Sequence, residues 1–340
     1  MLPQSAKPVV KIGLVAPFEG RYRSLGYETL YAVRWAVRER NEAGGVSGYL
    51  VELAALDDGD DPEVSAFQAR EFAADPAIMG VVGPFSYGAV ASAAPVYHDL
   101  RLAMITPATC SPSFSLASYG EVFCLGADGR ALELALIERL PGGARATVLR
   151  VKDGTLGDGL ALPLEQVEIG PLSEGASLDL GQRPADVYLY DGDVLSAADL
   201  LDAMRAVGID APLWGGPSLA RTQLPQIAGQ AAAGSCYAIT APHRADLTPG
   251  SPFVRGYQDV GGGTPGPWGA LAYDAAALLL DALEREIAAT RRPTREGVIA
   301  RLADSPGPGG VPVFVDGRRL QVEIAFYCYG QDDEYPGRIQ

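Results

Sequence analysis

The sequence predicts an α/β protein whose two lobes each contain a mainly parallel sheet covered by helices. Its 340 residues are 48% hydrophobic and 20% charged, which is more apolar chain than a single core normally holds. Short apolar segments alternate with amphipathic segments along most of the chain. Such alternation is typical of parallel sheets with helices on both faces.

The amino-terminal half predicts four strands with a helix after each of the first two. A helix follows the first strand and ends near Gly44 or Gly45, and a second helix runs through Phe67 and Phe72. The predicted strands are Val9–Ala16, Leu50–Leu56, Ile78–Val82 and Leu102–Ile105. The first helix places four apolar residues on one face: Leu30, Val33, Ala36 and Val37.

The carboxyl-terminal half continues the alternation, with a helix predicted at Asp199–Val207. The apolar stretch Ala270–Leu283 is about 14 residues long, short of the roughly 20 that span a membrane, so it predicts a buried helix. We therefore expect no stable membrane insertion. The further predicted strands are Ala146–Val151, Val187–Tyr190, Leu213–Gly215 and Tyr237–Thr240.

Charge and cysteine content exclude several classes of protein. The net charge of −15 argues against a nucleic-acid partner, because binding to phosphates needs clustered Lys and Arg. Two histidines and four cysteines without CxxC spacing predict neither a metal site nor a cofactor. The even number of cysteines allows two alternatives for all four of them, including Cys236 and Cys328. They form disulfides, among which Cys110–Cys124 would close the shortest loop, or they are buried free thiols.

Enzyme motifs are incomplete. The serine of "GPFSYG" stands one place away from GxSxG spacing, and "GLVAPFEG" lacks the GxGxxG spacing that admits a pyrophosphate. With two histidines and no clustered acids, there are few candidates for general base catalysis, so we expect no enzymatic activity and no catalytic residue. The segment Met1–Lys7 lacks an apolar signal core, which fits either a cytosolic protein or a removed leader.

Seven segments, in this order, resemble the type I periplasmic solute-binding proteins of the leucine/isoleucine/valine-binding kind, the receptors of branched-chain amino acid ABC transporters. Each is weak alone, but their order and spacing across nearly the whole chain are specific. They are "KIGLVAPFEGRYRSLG" from Lys11, "AVRERNEAGGVSGYLVEL" from Ala36, "LDDGDDP" from Leu56, "VVGPFSYGAVASAAPVY" from Val81, "MITPAT" from Met104, "AYDAAALLLDAL" from Ala272 and "VFVDGRR" from Val313.

The resemblance implies two Rossmann-like lobes joined by three crossovers. Matching segments place the crossovers near Cys124–Gly126, Thr240–His243 and Val322–Tyr327. Lobe 1 would comprise residues 1–124 with 243–322, and lobe 2 residues 125–242 with 323–340.

The resemblance also implies a function. The implied protein is a monomeric receptor, periplasmic or extracytoplasmic, whose signal segment is absent from this sequence. The receptor binds a small amino acid-like or related organic ligand in the interlobe cleft, closes about the hinge and meets the permease subunits of an ABC transporter. The alternative is a ligand-sensing domain that signals to a partner protein.

Two loops are the expected ligand site, Gly83–Gly88 and Thr106–Ser111. Ligands of parallel α/β sheets bind beyond the carboxyl ends of strands, and small residues there let backbone N–H groups approach a carboxylate. The alternative is that both are ordinary turns between strand and helix.

The usual carboxylate clamp of the family is altered in both loops. In the first, the family serine corresponds to Tyr87, with Ser86 just before it. In the second, the family's small residue and threonine correspond to Ala108 and Cys110, with Thr109 between them. A thiol is a weak donor, so we expect the backbone N–H groups of Tyr87 and Ala108 to serve instead.

The other lobe departs from the family as well. Positions that are aromatic in relatives correspond to Leu156 and Asp193, and the acid that meets a ligand ammonium corresponds to Pro217. Asp193 either replaces that acid or is a solvated loop residue. These departures weaken the prediction of a leucine-like ligand more than that of ligand binding.

Aromatic residues near the expected cleft complete the candidate set. Trp268 aligns with an aromatic residue that lines the side-chain pocket, or it is a core tryptophan under the following helix. Tyr22 lies in the loop before Gly26 and is expected at the cleft mouth; its neighbour Arg23 is more simply an exposed loop cation.

Overall fold

The computed structural model divides the chain into two compact units. It describes residues 7–109, 116–151, 165–169, 184–307, 311–330 and 337–339. Unit 1 comprises Met1–Ala127 with Thr240–Glu323, and unit 2 comprises Asp128–Ile239 with Ile324–Gln340. The chain therefore passes from one unit to the other three times.

Unit 1 contains a seven-stranded sheet in the order β11-β12-β5-β4-β3-β1-β2. All neighbouring strands are parallel except β11 and β12 at one edge. The strands are β1 (Val9–Ala16), β2 (Leu50–Asp57), β3 (Ile78–Val82), β4 (Ala103–Thr106), β5 (Val122–Cys124), β11 (Phe314–Val315) and β12 (Arg318–Arg319). The bounds predicted for β1 and β3 are confirmed.

Helices cover this sheet and supply most of its core. They are α1 (Arg23–Glu42), α2 (Pro62–Ala74), α3 (Tyr87–Asp99), α7 (Pro252–Asp259), α8 (Pro267–Thr290) and α9 (Arg295–Ala303). The stretch predicted to be a buried helix lies in α8, where small residues allow close packing. A Cβ added to Gly80 of β3 would lie 2.6 Å from Leu279 Cδ1 of α8. No described helix is both long and apolar enough to span a membrane.

The end of α1 explains how the chain enters edge strand β2. Gly44 and Gly45 adopt positive φ, and a Cβ on Gly45 would lie 1.9 Å from Tyr49 O, so the reversal requires glycine there. The Asn41 side chain then bonds to both main-chain groups of Val51. Its Oδ1 accepts from the Val51 N–H at 2.9 Å, and its Nδ2 donates to Val51 O at 2.8 Å. This pairing occupies main-chain groups that the edge strand would otherwise expose.

Unit 2 has a second seven-stranded sheet, in the order β14-β13-β10-β9-β8-β6-β7. The pairs from β7 to β10 are parallel, and β13 and β14 are antiparallel. The strands are β6 (Ala146–Val151), β7 (Glu165–Ile169), β8 (Val187–Asp191), β9 (Leu213–Gly215), β10 (Cys236–Thr240), β13 (Ile324–Cys328) and β14 (Gly337–Ile339). Its helices are α4 (Gly129–Glu138), α5 (Val194–Ala206) and α6 (Gln223–Ala228).

Helix α5 begins earlier than the sequence predicts. The expected start was Asp199, but the helix starts at Val194 because Asp193 caps it. Asp193 Oδ1 accepts hydrogen bonds from the N–H groups of Leu195 at 2.9 Å and Ser196 at 3.2 Å. The cap supplies partners for the first turn, so the helix begins before the apolar periodicity becomes clear.

A disulfide joins two neighbouring strands of unit 2. Cys236 of β10 is bonded to Cys328 of β13, at a sequence separation of 92. Beside it, the rings of Tyr237 and Tyr327 stack with centroids 5.5 Å apart. Of the two alternatives left open by the sequence, a disulfide or buried free thiols, the structure therefore contains the disulfide for Cys236 and Cys328. The pair Cys110–Cys124 is not described, because Cys110 lies outside the described residues.

Candidate functional site

The loops that follow β1, β2, β3 and β4 meet at one edge of the unit 1 sheet. These strands are parallel, so their carboxyl ends lie on the same side. The strand order places β3 between β1 and β4. Loops 83–86 and 107–109 are therefore neighbours, and the loop after β1 lies beside them.

The loop after β3 begins at a glycine that no other residue replaces without strain. Gly83 has φ +94°, and a Cβ there would lie 2.2 Å from Val15 O of β1. Its N–H donates to Ile105 O of β4 at 2.9 Å. At Gly83, where the main chain leaves β3, it is therefore packed closely between β1 and β4.

Thr106 joins the two candidate loops. Its hydroxyl donates to Pro84 O at 2.6 Å and accepts from the Ala108 N–H at 3.0 Å. Ala108 is 1% exposed. The Ala108 N–H, expected from the sequence to bind a ligand carboxylate, is therefore engaged by Thr106 in this structure.

The amino terminus of α3 presents open backbone donors. Ser86 caps this helix, and its Oγ accepts a 3.5 Å hydrogen bond from the Ala89 N–H. The N–H groups of Tyr87 and Gly88, the next two positions, make no hydrogen bond in the described parts of the chain. The Tyr87 side chain is 45% exposed. Free N–H groups and the positive end of the helix dipole together favour an anionic group here.

The loop after β1 is held by an aspartate at the end of β2. Asp57 Oδ1 accepts hydrogen bonds from the N–H groups of Phe18 at 2.6 Å and Glu19 at 3.2 Å. Tyr22 follows in a 3-10 helix, Gly20–Tyr22, where it is half-buried, and Arg23 begins α1 as an exposed residue. Asp57 therefore positions the loop that carries Tyr22.

A second aspartate in the same turn is buried. Asp58 is 1% exposed, and its carboxylate accepts from Ser65 Oγ at 2.7 Å and the Asp60 N–H at 3.0 Å. Burial raises the pKa of Asp58 to about 6, and the charges of Asp60 and Asp57 add to the rise, while the two hydrogen bonds oppose it.

Trp268 packs beside the β3 loop as a buried side chain. It is 3% exposed, and its ring meets Phe85 edge-to-face with centroids 6.1 Å apart. The next residue, Gly269, donates its N–H to Glu28 Oε1 of α1 at 2.6 Å. Trp268 therefore lies next to the candidate loops, as a side chain buried within unit 1.

In unit 2, two candidate residues follow adjacent strands. Pro217 begins a 3-10 helix, Pro217–Leu219, after β9, and Asp193 follows β8. The Asp193 carboxylate is occupied as the α5 cap, and its Oδ2 also accepts from Ser196 Oγ at 2.6 Å. Asp193 is thus a helix cap, a role that the sequence interpretation did not include. Leu156 and Cys110 lie outside the described residues, and Thr109 is half-buried at the end of the described β4 loop.

Three residues that shape this edge were not singled out from the sequence: Asp57, Thr106 and Glu28. The acidic turn after β2 carries a signal for Asp57, because aspartate commonly bonds to loop N–H groups. No local pattern points to Thr106 or Glu28, since each acts on a segment distant in sequence. Among the described residues, no group of three His, Cys, Asp or Glu side chains is arranged to hold a metal ion.

The sequence is similar to periplasmic binding proteins. The family model described as periplasmic binding protein matches residues 9–154 and 182–318. The Leu/Ile/Val-binding protein homolog 1 of Brucella abortus (strain 2308) is 26% identical over 274 residues, which cover 76% of this chain and 73% of that protein. The Leu/Ile/Val-binding protein of Escherichia coli (strain K12) is 24% identical over 259 residues, covering 71% and 69%.

Solved structures share the fold. The branched-chain amino acid transporter substrate binding protein LivJ of Streptococcus pneumoniae, solved with isoleucine, has a TM-score of 0.79 at 18% identity and covers 97% of this chain and 100% of its own. A Desulfitobacterium hafniense ABC transporter substrate-binding protein, solved with Leu, has a TM-score of 0.76 at 23% identity with the same coverage.

Proposed function

Because the chain belongs to the periplasmic binding protein family, we propose that it is the extracytoplasmic solute-binding receptor of an ABC transporter. Its relatives named as Leu/Ile/Val-binding proteins support a small amino acid-like or related organic ligand. In this proposal the ligand binds at the amino terminus of α3 in unit 1, and the loaded receptor then meets the permease of the transporter. The protein is not proposed to act as an enzyme.

The observation that carries the proposal is the amino terminus of α3. The N–H groups of Tyr87 and Gly88, at the carboxyl edge of a parallel sheet, donate to no acceptor among the residues that the structure describes. A carboxylate accepts from such donors without a side-chain clamp, and hydrogen bonds to a charged group contribute about 1.5–3 kcal/mol each. We therefore propose that the ligand carries a carboxylate and that backbone donors replace the family serine.

The identity of the rest of the ligand is proposed to differ from leucine. Pro217 has no charge to meet an ammonium, and the carboxylate of Asp193 already caps α5. A ligand ammonium left without a partner acid would be costly to bury. Carboxylates without an α-ammonium, aromatic acids among them, are therefore the favoured class.

A pair of substitutions at one position separates the backbone donor from the side chain. Tyr87→Pro removes the N–H, and proline is tolerated at the first position of a helix. Ser86 already has the extended conformation that a following proline requires, with φ −124° and ψ 154°. Tyr87→Ala removes the same ring but keeps the N–H, so it is the matched control.

Calorimetric titration with the carboxylate that raises the melting temperature most tests the proposal. We expect Tyr87→Pro to weaken binding at least about tenfold relative to Tyr87→Ala, because one hydrogen bond to a charged group is lost. Circular dichroism checks that both variants retain their helices. Equal affinities of the two variants would place the carboxylate elsewhere.

A further inference from the structure

Strand β2 forms one edge of the unit 1 sheet, and its outer side faces no other strand of that sheet. Among the described strands it is the last in the sheet order and pairs with β1 alone. The Leu50 N–H donates to Pro8 O at 2.9 Å, so the main-chain groups of Leu50 and of every second residue after it face β1. The main-chain groups of the odd-numbered residues 51–57 therefore point away from the sheet.

Side chains occupy the outward main-chain groups at both ends of this edge. Near the start of β2, the Asn41 side chain bonds to the N–H and to the carbonyl of Val51. Near its end, Gln68 Nε2 donates to Asp57 O at 2.7 Å. Such capping restricts where another strand can pair with an exposed edge.

The middle of the edge is open. The outward N–H and carbonyl groups of Leu53 and Ala55 make no hydrogen bond with any residue that the structure describes. Ala55 is exposed, Leu53 is half-buried, and neither side chain is charged. An open, uncharged stretch of an edge strand is a template for pairing with another chain.

The capped and open positions are arranged symmetrically about Ala54. In an antiparallel pair of two β2 strands centred there, Leu53 of each copy lies opposite Ala55 of the other. Every open N–H then faces an open carbonyl, because residues in such positions exchange both of their hydrogen bonds. A pair centred on Leu53 or on Ala55 would instead set an open residue opposite a capped one, Val51 or Asp57.

A groove beside Leu53 carries both signs of charge. Its volume is about 620 Å³, and it is lined by Leu53, by α1 and by the end of α7. Its charged residues are two arginines and two acids: Arg34, Arg38, Glu42 and Asp259. The groove is thus balanced in a chain whose net charge is −15, so two copies repel each other less here than over an average part of the surface. Across a two-fold axis, each groove presents both signs to the other.

We propose that a second copy of this chain docks on the open edge of β2, as an antiparallel pair of strands centred on Ala54. A two-fold interface uses the same surface on both copies, and the symmetric order of capped and open groups meets that requirement. The pairing continues the unit 1 sheet into the second copy. It is independent of the proposed transport function, and it replaces the monomer implied by the family resemblance with a dimer.

Sedimentation velocity of the full chain without ligand, over a series of concentrations, tests the dimer. Ala55→Pro removes an N–H that points away from the sheet, so the pairing of β2 with β1 is kept. Because both copies lose this donor, we expect the dissociation constant of the dimer to rise about tenfold or more. Ala55→Ser keeps the N–H and is the matched control, which should dimerise like the unmodified protein.

Crosslinking by single cysteines tests the register. In the proposed pair, the two copies of residue 54 lie directly opposite each other with Cα atoms about 4.5 Å apart, within the range of a disulfide. The two copies of residue 55 are offset along the strands and lie farther apart than the roughly 7 Å that a disulfide spans. Mild oxidation should therefore give a covalent dimer of Ala54→Cys but not of Ala55→Cys. The unmodified protein, oxidised alongside, controls for the native cysteines.

Three results would overturn the proposal. The first is a chain that sediments as a monomer at every concentration. The second is a dimer that Ala55→Pro weakens no more than Ala55→Ser does. The third is a dimer in which Ala54→Cys crosslinks no better than Ala55→Cys, which would place the interface elsewhere. If Ala55→Pro does not fold, the two cysteine variants decide.

Discussion

At the scale of single residues, three aspartates of unit 1 act on backbone groups in different surroundings. Asp57 holds the loop after β1, Asp274 holds residues 243–245, and Asp58 is buried within its own turn. Asp58 receives one backbone N–H and one hydroxyl, and these two hydrogen bonds do not offset the effect of burial on its pKa. Its pKa is raised to about 6.

Asp58→Asn is expected to change how stability depends on pH. A carboxyl whose pKa is higher in the folded protein opposes folding when it ionises, so its cost develops as pH rises from about 4 and is complete above about 6. At pH 8 the cost is about 3 kcal/mol, of which about half is already present at pH 5. Asparagine keeps an acceptor for the Asp60 N–H and a donor for Ser65 Oγ.

Urea unfolding at pH 5 and pH 8 measures this difference. The stability of Asp58→Asn minus that of the unmodified protein should be larger at pH 8 than at pH 5, by about 1 kcal/mol. Asp99→Asn, at an exposed position of α3, serves as the control and should show no such pH-dependent gain. A difference for Asp58→Asn that does not vary with pH would mean that the carboxyl titrates normally.

The sequence could predict where the candidate loops lie but not how their donors are used. Strand ends and small residues locate Gly83–Gly88 and Thr106–Ser111, because those signals are local. The use of the Ala108 N–H depends on the Thr106 rotamer, and the role of Asp193 depends on where α5 begins. Both are settled by competing hydrogen bonds, which residue type alone does not specify.

At the scale of elements, apolar runs predict buried strands well and short edge strands poorly. The bounds of β1, β3, β6 and β9 match the expected ones, because each strand is a continuous apolar or mainly apolar run. Strands β11, β12 and β14 have two or three residues, too few to show any period. Their pairing is set by the neighbouring strands, so it cannot be inferred from local sequence.

The disulfide between β10 and β13 should stabilise unit 2 in particular. Cys236 and Cys328 close a segment with a sequence separation of 92, and loss of such a crosslink typically costs about 2–5 kcal/mol. The double substitution Cys236→Ser with Cys328→Ser, which leaves no odd thiol of this pair, is expected to lower the stability of unit 2 by that amount.

Hydrogen exchange measured by mass spectrometry separates the two units in this experiment. Amides of β10 and β13 should exchange faster in the double variant, while amides of β1 and β3 in unit 1 serve as the internal control. Unchanged protection of β10 and β13 would show that the strands are held by packing alone, including the stacked Tyr237 and Tyr327.

At the scale of the whole molecule, the segments that leave and enter unit 1 are hydrogen-bonded to one another. The Ala127 N–H donates to Thr240 Oγ1 at 2.7 Å, and the Ala241 N–H donates to Glu323 O at 2.8 Å. These residues stand at the limits of unit 1, whose segments end at Ala127, begin at Thr240 and end at Glu323. The composition of the sequence does not indicate these crossovers between the units. In the sequence analysis, their expected positions came from the resemblance to a family.

The central claim is that the protein binds a small organic carboxylate, and a thermal unfolding screen tests it most directly. The panel contains leucine, isoleucine, valine, other amino acids, amides, aromatic acids and polyamines. A ligand at about 100 times its dissociation constant adds roughly 2.7 kcal/mol to stability, enough to move the melting temperature by several degrees. We expect such a shift with one or more carboxylates, larger for those without an α-ammonium than for leucine. A shift with polyamines or amides alone, or no shift with any compound, would contradict the claim.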